Sequence, residues 1–448
     1  ALALRAAPAA AAPALRLPPV ATRVLPNGLT VHVVATSRLP LVDFRLVVPA
    51  GSVYDPPDHE GLASLTADLL TQGAGARSAR QIAEAIEFVG GSLDADAGEE
   101  QLVVTCEVLN KDLATGLELL RDVVVSPTFP DSELARKRAE AVGAIEEGFD
   151  DPATVADRAL GPALLGTHPL AHPVSGGIAS VRRITRSDVV RFHHAHVVPD
   201  HALLAIVGDV DTSAVLRYVA RAFAPWRRSP EPAGEPYGPP PAATSTHVVI
   251  VNKPDVTQTQ LRIGCPGVPR DSPDYFPLVV GNTILGGGFT SRLVNEVRVS
   301  QGLTYDIGSA FEMERRAGTF EISTFTRNAE LRRALDATLA TTRRLVQDGP
   351  TADELARAKR YLTGQYPLGL QAPDGLAARL LDAEFFGLSA DWIARWPERI
   401  EAVTLDDVRR ALRAHACAAP AVIVVVGDPA KAGPALHGLG PVTVRPVE

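Results

Sequence analysis

Hydrophobic and polar positions follow two different periods along this chain, and together they predict an alternating series of strands and helices. Runs of apolar and β-branched residues predict strands at residues 29–34, 42–48, 102–108 and 202–207. Apolar residues at helical spacing predict helices at residues 61–70, 79–89, 114–124 and 131–147. This alternation, with hairpin-like strand pairs, indicates α+β domains in which helices pack on one face of a mixed β-sheet.

The second half of the chain repeats the first. Three segments recur in the same order: residues 133–136 as 354–357, residues 185–189 as 404–408, and residues 206–209 as 425–428. The separations are nearly constant, for example 219 positions from Gly208 to Gly427. A period this long predicts a duplicated domain rather than a stack of short repeats.

A proline-rich stretch separates the two copies. Prolines stand at positions 230, 232, 236, 239, 240 and 241. Such a segment cannot form a helix or an interior strand, so we expect an extended linker at residues 229–246. The domains are then residues 20–228 and 247–448, after an Ala/Pro-rich, flexible lead-in at residues 1–19.

Composition limits the class of protein. A chain of 448 residues with 46% hydrophobic and 21% charged residues is typical of a globular protein with more than one domain. The net charge of −8, without a basic cluster, argues against a nucleic-acid partner, and the apolar strings are too short to span a membrane. Cys106, Cys265 and Cys417 lie far apart without a C-x-x-C pair, so we expect three buried small hydrophobic residues.

The start of the chain bears on its location. The opening Ala-Leu-Ala resembles the small-residue zone around a signal-peptidase site, from which we expect an exported, periplasmic protein. A cloning boundary and a cytoplasmic location remain the alternatives.

Residues 60–69 carry the most informative resemblance. Their sequence, Glu-Gly-Leu-Ala-Ser-Leu-Thr-Ala-Asp-Leu, resembles the zinc helix of the M16, or pitrilysin-like, metallopeptidases, whose active members carry H-x-x-E-H after Gly-Leu-Ala. Helical spacing brings the two histidines onto one face, where they share zinc while the glutamate acts as general base. Here the histidine positions hold Ser64 and Asp68, the glutamate position holds Ala67, and the third ligand position falls on Ala144. We therefore expect no metal on this chain.

The resemblance extends over the whole chain from residue 20 onward. Further family landmarks occur in order at residues 25–29, 51–52, 167–169, 176–177 and 184–188. It implies a fold of two tandem homologous halves, as in the halves of the M16 clamshell.

Two features of the second half resemble parts of the family that handle substrate. Arg298 and Tyr305 resemble the arginine and tyrosine that stabilise the oxyanion of an attacked peptide carbonyl. Gly302 between them is expected to end a helix so that the tyrosine enters the next strand. Gly286, Gly287 and Gly288 resemble the glycine-rich turn of non-catalytic processing subunits, and we interpret them as a helix-start turn and candidate gating loop.

A histidine cluster is the other metal candidate. His193, His194 and His196, with His201 nearby, show neither helical nor zinc-finger spacing and have no cysteine beside them, which favours a structural or solvated cluster. No G-x-S-x-G occurs, so a serine hydrolase is not indicated.

The resemblance implies a non-catalytic, substrate-binding subunit of a heterodimeric zinc peptidase. Its partner would be a homologous chain that bears H-x-x-E-H and holds the zinc, and the two chains would enclose a peptide-sized chamber. The rival interpretation is a catalytically silent structural subunit, like the respiratory-complex core proteins that share the fold. An independent hydrolase based on the histidine cluster is a third. The peptide substrate, self-association, and ion binding by Asp68 or the histidine cluster remain open.

Overall fold

The alternating pattern folds into two β-sheets, one from each half of the chain. A computed structural model of the protein describes residue 15, residues 17–229, residue 234, residues 236–240 and residues 245–447. The expected lead-in and the expected linker therefore lie partly outside the described residues.

The N-terminal half supplies the first sheet and its helices. Its strands are β1 (Ala21–Val24), β2 (Thr30–Ala35), β3 (Leu41–Val48), β4 (Gly73–Ala74), β5 (Arg77–Ser78), β6 (Ser92–Ala97), β7 (Leu102–Leu109) and β8 (Leu203–Gly208). Its helices are α1 (Leu62–Leu70), α2 (Ala79–Phe88), α3 (Leu113–Val125), α4 (Asp131–Gly148), α5 (Pro152–Leu165), α6 (Ile178–Arg183), α7 (Arg186–His196) and α8 (Thr212–Ala222).

The C-terminal half supplies the second sheet. Its strands are β9 (His247–Asn252), β10 (Gln258–Pro266), β11 (Ile307–Met313), β12 (Gly318–Arg327), β13 (Val422–Gly427) and β14 (Val442–Arg445). Its helices are α9 (Tyr275–Leu285), a π-helix (Val294–Ser300), α10 (Leu331–Asp348), α11 (Ala352–Gln365), α12 (Pro373–Phe385), α13 (Trp392–Ala402), α14 (Leu405–His415) and α15 (Pro429–Leu436).

Five strands of each sheet follow the same order, which confirms the predicted duplication. The first runs β1-β2-β8-β3-β7-β6, and the second, read from its opposite edge, runs β14-β9-β13-β10-β12-β11. In each copy the first long strand is parallel to the last, and the other pairs are antiparallel. The outer strands differ, because β1 is antiparallel to β2 whereas β14 is parallel to β9.

The repeated segments at residues 185–189 and 404–408 begin equivalent helices in the two halves. Thr185 caps α7 through a capping box with Asp188, and Thr404 caps α14 through the same box with Asp407. In each box the threonine hydroxyl accepts from the third helical N–H while the aspartate accepts from the cap N–H. The matching segments are therefore helix starts.

Each sheet is covered on its second face by a helix from the other half. Val155, Ala156 and Leu160 of α5 pack on the buried strands β9 and β13, and Leu376 and Leu381 of α12 pack on β8 and β3. Because both faces are covered, β8 and β13 are buried at every position, as expected for strands that consist of continuous apolar runs. This exchange of helices was not predicted from the sequence.

Polar contacts add to this junction. Arg262 of β10 is buried, and its Nε donates to Asp157 of α5 at 2.6 Å. Part of the expected linker is packed rather than extended through solvent: Tyr237 is buried, and its hydroxyl donates to Glu100 at 2.5 Å. The backbone N–H of Arg315 donates to the other oxygen of Glu100, at 2.9 Å. The linker and both halves thus meet at one carboxylate.

The expectation for the cysteines was wrong for two of them. Cys265 and Cys417 form a disulfide, with a Cα–Cα distance of 5.8 Å, between the end of β10 and the segment before β13. Cys106 is a free, buried thiol, and burial raises its pKa to about 12. Among the described residues, no helix combines the length and the apolar character that crossing a membrane requires.

Candidate functional site

The start of α1 is fixed by a half-buried carboxyl group, that of Asp55. Asp55 accepts hydrogen bonds from the N–H groups of Gly61 and Ala63, both at 2.8 Å, and so satisfies donors that a helix start leaves free. Burial raises the pKa of Asp55 to about 7. Gly61 adopts φ 97°, a conformation that favours glycine. This arrangement orients the helix that carries the blank metal positions.

Three of the four blank positions face one cavity. Ser64 and Asp68 of α1 and Ala144 of α4 line a cavity of about 280 Å³, which we call the α1 cavity, and Arg158 of α5 lines its far wall. Ala67 is instead buried in the hydrophobic core. Helical spacing explains why residues four apart on α1 share a face, and the packing of α4 on α1 brings in the third.

The side chains in the α1 cavity do not fit a catalytic zinc ion. Such a site needs three nitrogen, sulfur or oxygen ligands, whereas these positions offer one hydroxyl, one carboxyl and one methyl group. Burial raises the pKa of the Asp68 carboxyl, which Lys137 partly opposes. Across the described residues, no group of three or more His, Cys, Asp and Glu side chains could hold a metal ion. Glu146, two residues after Ala144, accepts a hydrogen bond from Arg182 at 3.0 Å.

The side chain of Arg158 lines the α1 cavity together with the blank ligand positions. Arg158 donates from Nη1 to the Ser175 hydroxyl at 2.9 Å and from Nη2 to the carbonyl of Gly176 at 2.6 Å. Its guanidinium also lies 5.7 Å from the centre of the Phe149 ring, and burial lowers its pKa. Arg158 therefore braces the loop before α6. It was not singled out in the sequence, because an arginine after a helix start carries no distinguishing signal.

The predicted substrate-binding pair is in contact. The Arg298 guanidinium lies 4.9 Å from the centre of the Tyr305 ring, within the range of a cation–π interaction. Arg298 belongs to a seven-residue π-helix, a rare element that is frequent at functional sites. Arg298 is half-buried and Tyr305 is 76% exposed, so the phenol is open to a ligand.

Tyr305 does not enter a strand as expected. The turn at Gly302, with φ 59°, ends the π-helix, but β11 begins only at Ile307, so Tyr305 lies in a loop. Two buried threonines of β12 fix that loop. The Thr324 hydroxyl donates to the carbonyl of Asp306 at 2.8 Å, and the Thr326 hydroxyl donates to the carbonyl of Leu303 at 2.6 Å. Sequence reasoning missed these threonines, which look like ordinary strand residues.

The glycine-rich turn lies between α9 and the helix that leads into the π-helix. A Cβ at Gly286 would lie 2.4 Å from the Ser309 hydroxyl, so glycine is required there. Asn282 and Ser309 exchange hydrogen bonds of 2.9 and 2.6 Å at the base of the turn. Nothing lies within 4 Å of an added Cβ at Gly288, so the tip is open.

The histidine cluster lies on a helix, which its spacing had not indicated. His193, His194 and His196 occupy the last turn of α7. His193 is buried with Nε2 2.9 Å from the Val124 carbonyl, and burial lowers its pKa to about 4. His196 packs on the rings of Tyr54 and Phe192, and burial lowers its pKa too. His193 and His196 therefore have a structural role, whereas His194 is exposed.

Comparisons with known proteins agree with this geometry. The family model "Peptidase M16 inactive domain" matches residues 183–362, and "Insulinase (Peptidase family M16)" matches residues 32–176. An uncharacterized zinc protease of Mycobacterium tuberculosis is 30% identical, with 90% of this chain and 91% of that protein covered. One of Streptomyces coelicolor is 28% identical, with 87% and 85% covered.

Solved structures share the fold. A peptidase M16 inactive domain from Pseudomonas fluorescens has 29% sequence identity and a TM-score of 0.86, with 96% of this chain and all of that chain covered (100%). A protease from Helicobacter pylori also gives 0.86, with 92% of this chain and 100% of that chain covered, but at 18% identity it shows the fold alone.

Proposed function

Because the chain belongs to the M16 peptidase family, we propose that it is a non-catalytic, substrate-binding subunit of a zinc-dependent peptidase built from two homologous chains. The partner would be an M16 chain that carries H-x-x-E-H and holds the zinc ion. This chain would close on the partner to form a chamber that takes peptides.

One contrast carries the proposal. The α1 cavity offers no zinc ligand set, while the second half keeps Arg298 in contact with an exposed Tyr305. A scaffold does not require a guanidinium held beside a solvent-facing phenol, whereas a subunit that serves a site on another chain would keep them together.

The chemistry of the pair suits a peptide carbonyl under attack. The carbonyl oxygen gains negative charge in the transition state, and donors that are already in place lower its energy. The phenol of Tyr305 offers one donor, and the guanidinium of Arg298 offers several in a planar fork. Their stacking and the threonine-fixed loop hold both groups before substrate arrives. The metal chemistry belongs to the partner.

The glycine-rich turn is a candidate gate, because its base is anchored to Ser309 while its tip is open. An exported, periplasmic location is supported by the disulfide between Cys265 and Cys417, since disulfides persist mainly in oxidising compartments.

Zinc analysis of the purified chain tests the first part of the proposal, that this subunit is non-catalytic and holds no zinc. We expect well below one zinc per chain and no peptide cleavage. A triple variant, Ser64→His with Asp68→His and Ala144→Glu, supplies three ligands around the α1 cavity and should bind about one zinc per chain. The double variant without Ala144→Glu is its control and should bind zinc far more weakly. One zinc per wild-type chain, with cleavage that a chelator stops, would refute the proposal.

A further inference from the structure

A small pocket lies between the glycine-rich turn and α11, and the proposed function does not use it. It has a volume of about 160 Å³. Its apolar part is formed by Ile284 and Ala358, with the rings of Phe289 and Tyr361 at its edge. We call it the loop pocket. It is open at the tip of the turn, next to Gly288.

The aromatic residues of the loop pocket are unusually exposed. Phe289 is 86% exposed and Tyr361 is 51% exposed. Large apolar side chains that line a concave surface and face water typically mark a binding site, because covering them recovers hydrophobic free energy. The base of the turn that carries Phe289 is anchored to β11 through Asn282 and Ser309.

The charge of the loop pocket is positive. Glu354 is neutralised by Arg292, which donates to it from Nε at 2.7 Å and from Nη2 at 2.8 Å. These hydrogen bonds hold the pKa of Glu354 at about 2, so the pair stays ionised and balanced. Arg357 also lines the pocket, and it has no hydrogen-bond or ion-pair partner among the described residues. One uncompensated guanidinium therefore remains beside an apolar surface.

The size limits what can bind. The pocket is smaller than a typical small-molecule site of roughly 300–1,000 Å³, yet it can take one large apolar side chain. An apolar group with an adjacent carboxylate matches both the aromatic edge and Arg357.

We propose that the loop pocket binds the C-terminal residue of a peptide, whose apolar side chain contacts Phe289 and Tyr361 and whose carboxylate accepts hydrogen bonds from Arg357. The choice of a peptide over other apolar carboxylates rests on the proposed function. The pocket would then hold peptides by their free end.

Fluorescence anisotropy on the isolated chain tests this inference. The probes are two hexapeptides labelled at the N-terminus that end in phenylalanine, one with a free carboxylate and one amidated. We expect the free acid to bind at least about tenfold more tightly than the amide, because a charge-assisted hydrogen bond is lost. Arg357→Gln should abolish that difference, and Phe289→Ala should weaken both peptides. Arg360→Gln on the same helix and Phe88→Ala, another exposed phenylalanine, are the matched controls and should change neither.

Two outcomes would overturn the inference: equal binding of acid and amide, or no binding of the acid at millimolar peptide. The assay uses neither partner nor cleavage. Failure here therefore leaves the proposed function standing, and failure of reconstituted cleavage leaves this binding result standing.

Discussion

Replacing the buried carboxyl of Asp43 by an amide should stabilise the protein at neutral and alkaline pH. Asp43 lies on β3, is only 4% exposed, and its Oδ1 has no hydrogen-bond partner among the described residues. Burial, together with the nearby carboxylates of Asp374 and Glu107, raises its pKa to about 7, while Arg45 acts in the opposite direction. Folding therefore favours the protonated form.

The sign and size of the effect follow from the raised pKa. Below the ordinary value of 3.8 Asp43 is protonated in both the folded and unfolded chain, so no stability is lost there. Between pH 3.8 and about 7 the unfolded chain loses this proton while the folded protein keeps it, so stability falls over that range and the loss is complete above it. A pKa difference of one corresponds to about 1.4 kcal/mol of stability. The rise from 3.8 to about 7 therefore lowers the free energy of unfolding at pH 8 by ~4 kcal/mol. An asparagine has no charge to bury and avoids this loss.

Thermal unfolding at pH 4 and pH 8 measures the effect. For a domain of about 200 residues, 1 kcal/mol shifts Tm by roughly 2–4 °C, so Asp43→Asn should raise Tm at pH 8 by about 10 °C and change it little at pH 4. The exposed Asp271 provides the control, since Asp271→Asn should have no pH-dependent effect. An Asp43→Asn variant whose Tm gain is the same at both pH values would refute this reasoning.

Two further predictions concern the contacts that the structure revealed. Cys417→Ser removes the disulfide to Cys265 and should lower the free energy of unfolding by about 2–4 kcal/mol. The Tm of the variant should fall below that of the oxidised wild type and match that of the reduced wild type. Equal Tm values for the oxidised wild type and the variant would argue against the bond. Tyr237→Phe removes the donor to the buried Glu100 carboxylate and should cost about 1–3 kcal/mol. Faster proteolysis at residues 229–246 would show it, and unchanged proteolysis would indicate that this contact does not hold the linker.

The sequence was most informative where local chemistry decides the structure. The strand at residues 203–208 and helix α1 could be predicted, because a continuous apolar run and a 3.6-residue period leave few alternatives. The duplication was visible because the same capping boxes recur at Thr185 and Thr404. Helical spacing, combined with the family resemblance, was sufficient to place Ser64 and Asp68 on one wall of a cavity.

The sequence was least informative where distant segments meet. Cys265 and Cys417 are 152 residues apart, and nothing local marks them as partners. The apolar face of α5 shows that the helix is buried but cannot show that it covers the sheet of the other half. Tyr305 was placed in a strand because the side-chain hydrogen bonds that fix its loop come from Thr324 and Thr326, about twenty residues away.

Reconstituted cleavage is the measurement that tests the central claim most directly. The chain is mixed with a purified M16 partner that bears H-x-x-E-H, and cleavage of a labelled peptide and complex formation by size-exclusion chromatography are measured separately. The account predicts that neither chain alone cleaves at the rate of the pair. It also predicts that Tyr305→Phe assembles normally yet lowers kcat by about 10²–10³, the usual cost of one oxyanion donor. Tyr218→Phe, which removes the hydroxyl of a tyrosine on α8 of the N-terminal half, is the control. A Tyr305→Phe complex that forms normally and cleaves at the wild-type rate would contradict the account and make this chain a scaffold.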